Sequence, residues 1–473
     1  MTAVHPPTPA RTLPTTFRCG GCGTEVSAFP PPLRCPATSA TDDVDHVLRR
    51  SLDATALSWP SGHERNPFVR YRTLLSAYHV ARSLGRSDAE VVAEIERLDA
   101  AVAAIDGRGF RITPFDRSNE LSELLGFRAS GGVLVKDETG NVGGSHKARH
   151  LFGTMLALVL AGADREARER PLAIASCGNA ALAAAIVARA AAWPIEVFVP
   201  ESAEPAVLAR LTELGATVTT CLRRPGEIGD PTYLRLGEAV AAGSIPFTCQ
   251  GNLNALAIEG GLTLGYEIVD QLRSMDRRLD RIVVQVGGGA LASSIIGACV
   301  DAEALGALDH QPRLHGLQTR NAYPLKRAYD LVRLRLVEQL DTLGPSPEGL
   351  RAAMALPEAA AELEWVAHHR SEFMWPWTPE PHSVAHGILD DETYDWLAVV
   401  RGMLATGGWP LLAGEEALLD ANELARTTTD IDVDPTGSAA LAGLLTLRRR
   451  GEMPATESVA VLFTGVRRNG ERS

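Results

Sequence analysis

From about residue 111 onward the chain alternates short apolar runs with helical stretches, and this alternation limits its fold more than any other feature. Val133–Val135, Leu172–Ala175, Ile195–Pro200, Thr217–Thr220, Arg281–Val286, Leu314–Gln318 and Ser458–Phe463 each read as a strand. Helical patterns fill the gaps, among them His150–Leu160, the alanine-rich run after Asn179, and Val207–Leu214, which Gly215 closes. Strands that are apolar throughout, rather than at every second residue, must be covered on both faces, which is the property of parallel sheets flanked by helices. The expected fold class is α/β, with doubly wound parallel sheets. The segment 340–430 reads as helical and irregular.

Upstream of this alternation the signals differ. Residues 1–18 read as a disordered proline-threonine tail. Residues 48–110 read as a helical extension. In it Ser87-Asp88-Ala89-Glu90 has the form of a capping box, and Val91, Val92, Ile95 and Leu98 recur on one helical face.

Bulk properties exclude several classes. A net charge of -12 and a pI near 5.5 argue against sequence-independent nucleic-acid binding, which needs a basic face. No apolar run reaches the roughly 18 residues of a membrane span, and Met1–Thr16 lacks an apolar signal core. A cytoplasmic protein is expected, with reduced thiols at its seven cysteines.

Of the 46 lysine and arginine residues only Lys136, Lys147 and Lys326 are lysine. Where charge alone suffices this chain uses arginine, so a retained lysine invites a chemical reason. An arginine side chain stays protonated and cannot form a Schiff base. Lys147 ends the small-residue loop Asn141-Val142-Gly143-Gly144-Ser145-His146 at the start of an apolar helix. An amine there could hold an aldehyde cofactor; the plainer reading is a surface lysine at a helix start. Lys136 reads as the partner of a carboxylate at a strand edge, and Lys326 as a helix-surface residue.

Three further loops follow strands, where ligands bind in open α/β sheets. Gly287-Gly288-Gly289-Ala290-Leu291 offers consecutive unhindered amides at a helix start, suited to a phosphate, and lacks the spacing of a Walker or dinucleotide motif. Ser176-Cys177-Gly178-Asn179 offers a hydroxyl, amides and a side-chain carboxamide, suited to a substrate carboxylate, with Asn179 able to bond a phenolic oxygen. Thr464, after the last strand, could bond a pyridine nitrogen; a hydroxyl there in place of an acid implies a weaker electron sink. Taken singly, the glycine run also fits a tight turn, and the Ser176 loop an ordinary helix start.

Taken in order, these motifs resemble the tryptophan synthase β family, fold type II of the pyridoxal-phosphate enzymes. The resemblance covers about residues 111–470. In the family loop Asn-Pro-Thr-Gly-Ser-Phe-Lys-Asp-Arg this chain keeps Asn141, Gly144, Ser145, Lys147 and Arg149; of its departures, His146 for Phe and Ala148 for Asp fall beside the cofactor. The resemblance implies two domains with pyridoxal 5'-phosphate in the cleft: a larger one from 111–150 and 265–473, and a smaller one from 151–264. It implies Lys147 as both cofactor anchor and Cα proton shuttle, a phosphate cradle at Gly287, Gly288, Gly289, Ala290 and Leu291, and Asn179 at the ring oxygen. His146 could touch the phosphate or act as a general acid, and its loop position favours the phosphate. The implied substrate is a small amino acid, and family members are commonly homodimers.

Ala175–Ala181, Ile258–Thr263 and Leu462–Gly465 resemble threonine synthase. Gly287–Leu291 and Asp434–Ala440 resemble serine/threonine dehydratases equally well. The implied activity is a pyridoxal-phosphate-dependent lyase or synthase working by Cα deprotonation with elimination or replacement. Threonine synthase-like chemistry comes first. A serine/threonine ammonia-lyase, a β-replacement synthase and a non-catalytic cofactor-binding regulator are the alternatives. Trp375, Trp377 and His382–Gly387 fall where the family lines the substrate side.

Residues 19–47 contain Cys19, Cys22 and Cys35 and resemble the zinc-ribbon-like start of many threonine synthases, without its second Cys-x-x-Cys. A structural zinc needs four ligands. With three cysteines the expectation is a degenerate ribbon rather than a zinc site, the candidates for a fourth donor being His46, Asp42, Asp43 and Asp45.

Overall fold

A computed structural model of the protein describes residues 13–39, 41–162, 165–340, 344 and 346–468. The large sheet has the strand order Leu411–Ala413, Arg313–Thr319, Arg281–Gln285, Ser458–Phe463, Gly132–Asp137 and Phe115–Ser118. All its neighbours run parallel except the antiparallel edge strand Phe115–Ser118. The second sheet is wholly parallel, in the order Thr217–Cys221, Ile195–Pro200, Leu172–Ala175 and Ile245–Pro246. Every residue of Arg281–Gln285 and Ser458–Phe463 is buried, which is why these strands carry no polar alternation. No helix among the described residues is long and apolar enough to cross a membrane.

Two helices fix the middle of the molecule. Lys147–Leu160 packs on Ala255–Ser274, and they cross where Gly153 meets Gly260: a β-carbon on Gly153 would lie 2.3 Å from the Gly260 Cα. The expected domain boundaries at 150/151 and 264/265 therefore fall inside continuous helices.

Beside that crossing lies an ionic cluster whose side chains have no exposure. Arg149 forks onto Glu138 through Nε (2.7 Å) and Nη2 (2.8 Å) and reaches Glu267 through Nη1 (2.6 Å). Lys136 donates to Glu267 (2.6 Å), to the Thr113 carbonyl (2.8 Å) and to Gln271 (2.8 Å). All four charged side chains are fully buried. Lys136 does pair with a carboxylate, but its strand has neighbours on both sides, so the expected edge position is corrected. Lys326 lies partly exposed on the helix Pro324–Gln339 and pairs with Asp330.

The N-terminal segment departs most from expectation. Of the expected disordered tail, residues 1–12 lie outside the described residues, whereas Thr15–Cys19 is a strand between Glu25–Val26 and Leu48–Leu52. Its buried positions alternate Thr15, Phe17, Cys19, a period of two that the proline-threonine composition disguised. The expected helical stretch 48–110 likewise opens with a strand, Leu48–Leu52, whose two arginines hid it. Beyond it Pro67–Arg70, Ser76–Ser83 and Asp88–Asp106 are helices, the last with the Ser87–Glu90 capping box complete.

Arg149→Met should destabilise the fold by about 3–5 kcal/mol in urea unfolding, because two buried carboxylates then share one ammonium. Adding Glu138→Gln should recover part of that loss, since a net-neutral Lys136–Glu267 pair remains. Wild-type stability in the single variant would refute this account.

Candidate active site

Loops at the carboxyl ends of the strands enclose a cleft of about 680 Å³, lined by His146, Lys147, Ser176–Ala180, Gly287–Leu291 and Thr464 among others. Two chain segments are stitched together at its floor. The Val466 amide donates to the Gly144 carbonyl (2.9 Å) and the His146 amide to the Thr464 carbonyl (3.2 Å), while Ser145 bridges Gly465. Asn141 holds the same loop from inside, donating to Glu138 (3.1 Å) and to the Ser145 carbonyl (3.0 Å). Lys147, the first residue of its helix, is thereby fixed beside the exit of the last strand.

Each expected site residue can be placed. Thr464 Oγ1 accepts from Gln285 Nε2 at 2.6 Å, so its own proton is free for an acceptor in the cleft. That is the state needed to bond an unprotonated pyridine nitrogen. Asn179 opens the helix Asn179–Ala190, and its Oδ1 accepts from Arg468 Nη2 (2.7 Å) and Nε (3.2 Å). With the oxygen engaged, the carboxamide presents its N–H₂ toward Gly465, as a phenolic oxygen would require. The Gly178 amide donates to Ser176 Oγ (3.4 Å), and burial raises the Cys177 thiol.

Gly289 caps the helix Ala290–Ala304 at φ +97°, a left-handed conformation that side chains resist. A β-carbon on Gly287 would lie 2.1 Å from Asp390 Oδ2, so the loop's surface must stay bare. Its carbonyls are tied down by Thr393 Oγ1 (to Gly287, 3.0 Å) and by the Asp395 amide (to Gly288, 3.0 Å). The start of the helix meanwhile offers its amides to an anion.

His146 is brought to the same floor. Burial, then the neighbouring Lys147, hold its ring well below the usual imidazole range, so it is neutral. Its Nδ1 faces the Thr464 carbonyl at 3.3 Å. That oxygen can only accept, which makes Nδ1 the protonated nitrogen and leaves Nε2 as an acceptor. This tautomer suits a proton acceptor near Lys147 better than a donor to phosphate.

Sequence reasoning missed Gln285, Arg468 and Asp390. Gln285 had a signal, a polar residue following the apolar run Ile282–Val284. Arg468 had none, because it reaches Asn179 only through the fold. Asp390 lies in the irregular segment, where no pattern marks it. Trp377, His386 and Gly387, from the segment expected on the substrate side, do line the cleft.

These residues fit a phosphorylated pyridine aldehyde: an amine, a hydroxyl with a proton to give, an oriented carboxamide and a bare anion loop converge on one cleft. Fold and site together define an α/β protein whose two parallel-rich sheets hold a cofactor-sized cleft beyond their strand ends. Residues 108–370, more than half of the chain, match the family described as pyridoxal-phosphate dependent enzyme, and the chain belongs to that family. It is 25% identical to threonine synthase from Methanosarcina acetivorans over 75% of this chain and 74% of that protein. It is 27% identical to the serine dehydratase-like protein of Rattus norvegicus over 54% of this chain and 70% of that one. Among solved structures, maize serine racemase superposes with a TM-score of 0.55 at 16% identity, over 80% of this chain and 94% of that one. The fungal L-serine ammonia-lyase from Rhizomucor miehei gives 0.53 at 17%, over 75% and 94%. The shared fold is thus fold type II, and the family's cofactor is pyridoxal phosphate.

Two outcomes follow from this geometry. Lys147→Ala should lose the visible absorbance of the protein-bound cofactor, whereas Arg468→Ala should keep that band but bind the cofactor roughly tenfold more weakly, because the charged bond that orients Asn179 is gone. Spectrophotometric cofactor titration measures both, and an unchanged affinity in Arg468→Ala would refute the orienting role. The second outcome concerns Asp395, which burial pushes up to about 7 and whose Oδ2 accepts from the Gly251 amide at 3.3 Å. The folded state therefore keeps a proton that the unfolded chain, with an ordinary carboxylate, releases near pH ~4. Its contribution lowers stability between about pH 4 and pH 7 and then levels off. Denaturant curves should show Asp395→Asn removing that slope; parallel pH profiles in the two proteins would contradict it.

Proposed function

We propose that this protein is a pyridoxal-phosphate-dependent lyase or synthase acting on a small β- or γ-substituted amino acid. The reading rests on one observation: the amine of Lys147, the hydroxyl of Thr464, the carboxamide of Asn179 and the glycine loop line the same cleft. When bound, the cofactor supplies an electron sink for a carbanion at the substrate's Cα. Lys147 holds the cofactor and, once displaced by substrate, takes the Cα proton. The neutral His146 ring beside it adds no positive charge and offers an acceptor nitrogen for that proton. Thr464 keeps the ring nitrogen hydrogen-bonded but unprotonated, which limits the sink and suits elimination at Cβ or Cγ. Ser176 and the amides of Cys177–Asn179 bind the substrate carboxylate.

Two relatives, threonine synthase and serine dehydratase-like protein, suggest alternative leaving groups. The lining beyond the glycine loop bears on the choice. It includes Asp230, Asp390 and Asp391, while its lysine and arginine side chains are Lys147 and Arg223. Arg223 already donates to the carbonyls of Glu227 (3.2 Å) and Gly229 (2.7 Å). Burial raises Asp391 to about 6 and raises Asp390 as well. A second phosphate dianion would meet carboxylates there rather than a basic clamp. This favours an unphosphorylated substrate, and an ammonia-lyase over a threonine synthase that expels phosphate.

The test is a screen of the cofactor-loaded protein with serine, threonine and O-phosphohomoserine, reading ammonia, 2-oxo acid and inorganic phosphate. Serine or threonine should yield ammonia and 2-oxo acid with no added nucleophile. Phosphate release from O-phosphohomoserine alone would reinstate the synthase. A cofactor band that no amino acid perturbs would point to a regulatory protein.

A further inference from the structure

The N-terminal cysteines come together with a residue from a different part of the chain. Cys19 ends Thr15–Cys19, Cys22 follows in the tight turn where the Gly23 amide donates to the Cys19 carbonyl (3.1 Å), and Cys35 comes from the next loop. His46 precedes Leu48–Leu52, the strand that pairs with Thr15–Cys19 with Cys19 opposite Leu48. The three sulfurs and one imidazole nitrogen all lie within 4.8 Å of one another. Cys22 Sγ is 3.7 Å from Cys35 Sγ, and Cys19 Sγ is 3.6 Å from His46 Nδ1. A tetrahedral zinc with bonds of about 2.3 Å to sulfur and about 2.0 Å to nitrogen sets its ligands roughly 3.5–3.8 Å apart.

We propose that Cys19, Cys22, Cys35 and His46 bind one structural zinc ion. The expected ribbon lacked a second Cys-x-x-Cys; in the structure the fourth donor comes instead from the approach to the neighbouring strand. A further residue supports the site: His46 Nε2 lies 3.1 Å from Asp42 Oδ2, which fixes the tautomer that leaves Nδ1 to the metal. The four donors fill a tetrahedron and leave no open position, so the role is structural rather than catalytic.

The ion would secure more than the ribbon, because the two loops that carry Cys35 and His46 are docked on the catalytic body. The Leu33 carbonyl accepts from the Ala255 amide (2.9 Å), at the start of the helix that holds Glu267. Asp43 accepts from the Ser371 amide (2.8 Å) and hydroxyl (2.7 Å), and Asp45 accepts from Trp396 Nε1 (3.0 Å). Trp396 follows Asp395, whose amide secures the glycine loop. Zinc loss should therefore be felt as weaker thermal stability of the whole protein.

The experiment uses the full chain purified without chelators, with metal content read by mass spectrometry and zinc affinity by competition with a chromophoric chelator. We expect one zinc per chain, a cobalt-substituted form with thiolate-to-metal absorbance, and a lower melting temperature after zinc removal. Asp42→Asn leaves all four ligands in place and should bind zinc roughly 10–100-fold more weakly while the cofactor band is kept. The paired variant Cys22→Ser with Cys35→Ser should lose the ion. Protein that takes up no zinc when supplied with it, or a paired variant that retains a full equivalent, would overturn the assignment.

Discussion

The buried charge cluster of Arg149, Glu138, Glu267 and Lys136 is the constraint on which the site depends. Glu138 follows the strand Gly132–Asp137, Glu267 lies on the helix Ala255–Ser274, and Arg149 is in the first turn of the Lys147 helix. Four charges with no solvent contact are tolerable only when each is paired and its remaining hydrogen-bonding capacity met. That requirement allows one relative placement of strand, loop and helix. Lys147, two residues before Arg149, inherits its position from it.

The same cluster explains the chain's second retained lysine. Lys136 has three donors and three acceptors in place: Glu267, the Thr113 carbonyl and Gln271. An arginine would bring five N–H groups to a pocket that holds three acceptors, leaving buried donors unmet. Arg149 is the converse case, since its fork spans two carboxylates and the Thr113 and Thr263 hydroxyls, a geometry that an ammonium cannot match. Scarcity of lysine therefore marks two unlike demands, a compact buried charge at Lys136 and, on the function proposed above, a nucleophilic amine at Lys147.

Elements buried on both faces were legible in the sequence because burial erases polar alternation. Ser458–Phe463 and Leu172–Ala175 occur with the bounds their apolar runs suggest. Phe115–Ser118, Ile245–Pro246 and Leu411–Ala413 were not read, being edge strands too short to build a pattern. Lys147, Asn179, the glycine loop and Thr464 could be grouped from the sequence because each sits in a loop whose residue types make sense together, and they line one cleft. Contacts that join distant segments were not legible. Arg468 reaches Asn179 through a pairing that no local spacing encodes, and spacing alone left His46 as one of four candidate donors beside the cysteines.

The least legible part of the site is also the part that bears on substrate choice. The segment Ile388–Asp395 is irregular, yet it is held from both sides of the cleft. Thr393 and Asp395 tie it to the glycine loop of the large sheet, while Tyr394 stacks on Tyr233 at 5.3 Å, from the helix Pro231–Ala241 beside the smaller sheet. A loop fixed this way can change its side chains without moving the cofactor residues. The anchoring chemistry is built on regular elements and their immediate caps, whereas Asp390 and Asp391 hang from a strap between the two sheets. It follows that chains with the same lysine, glycine loop and terminal hydroxyl can differ in what they bind beyond the ring. In this chain that region is acidic, and a leaving group arriving there meets carboxylates before it meets a cation.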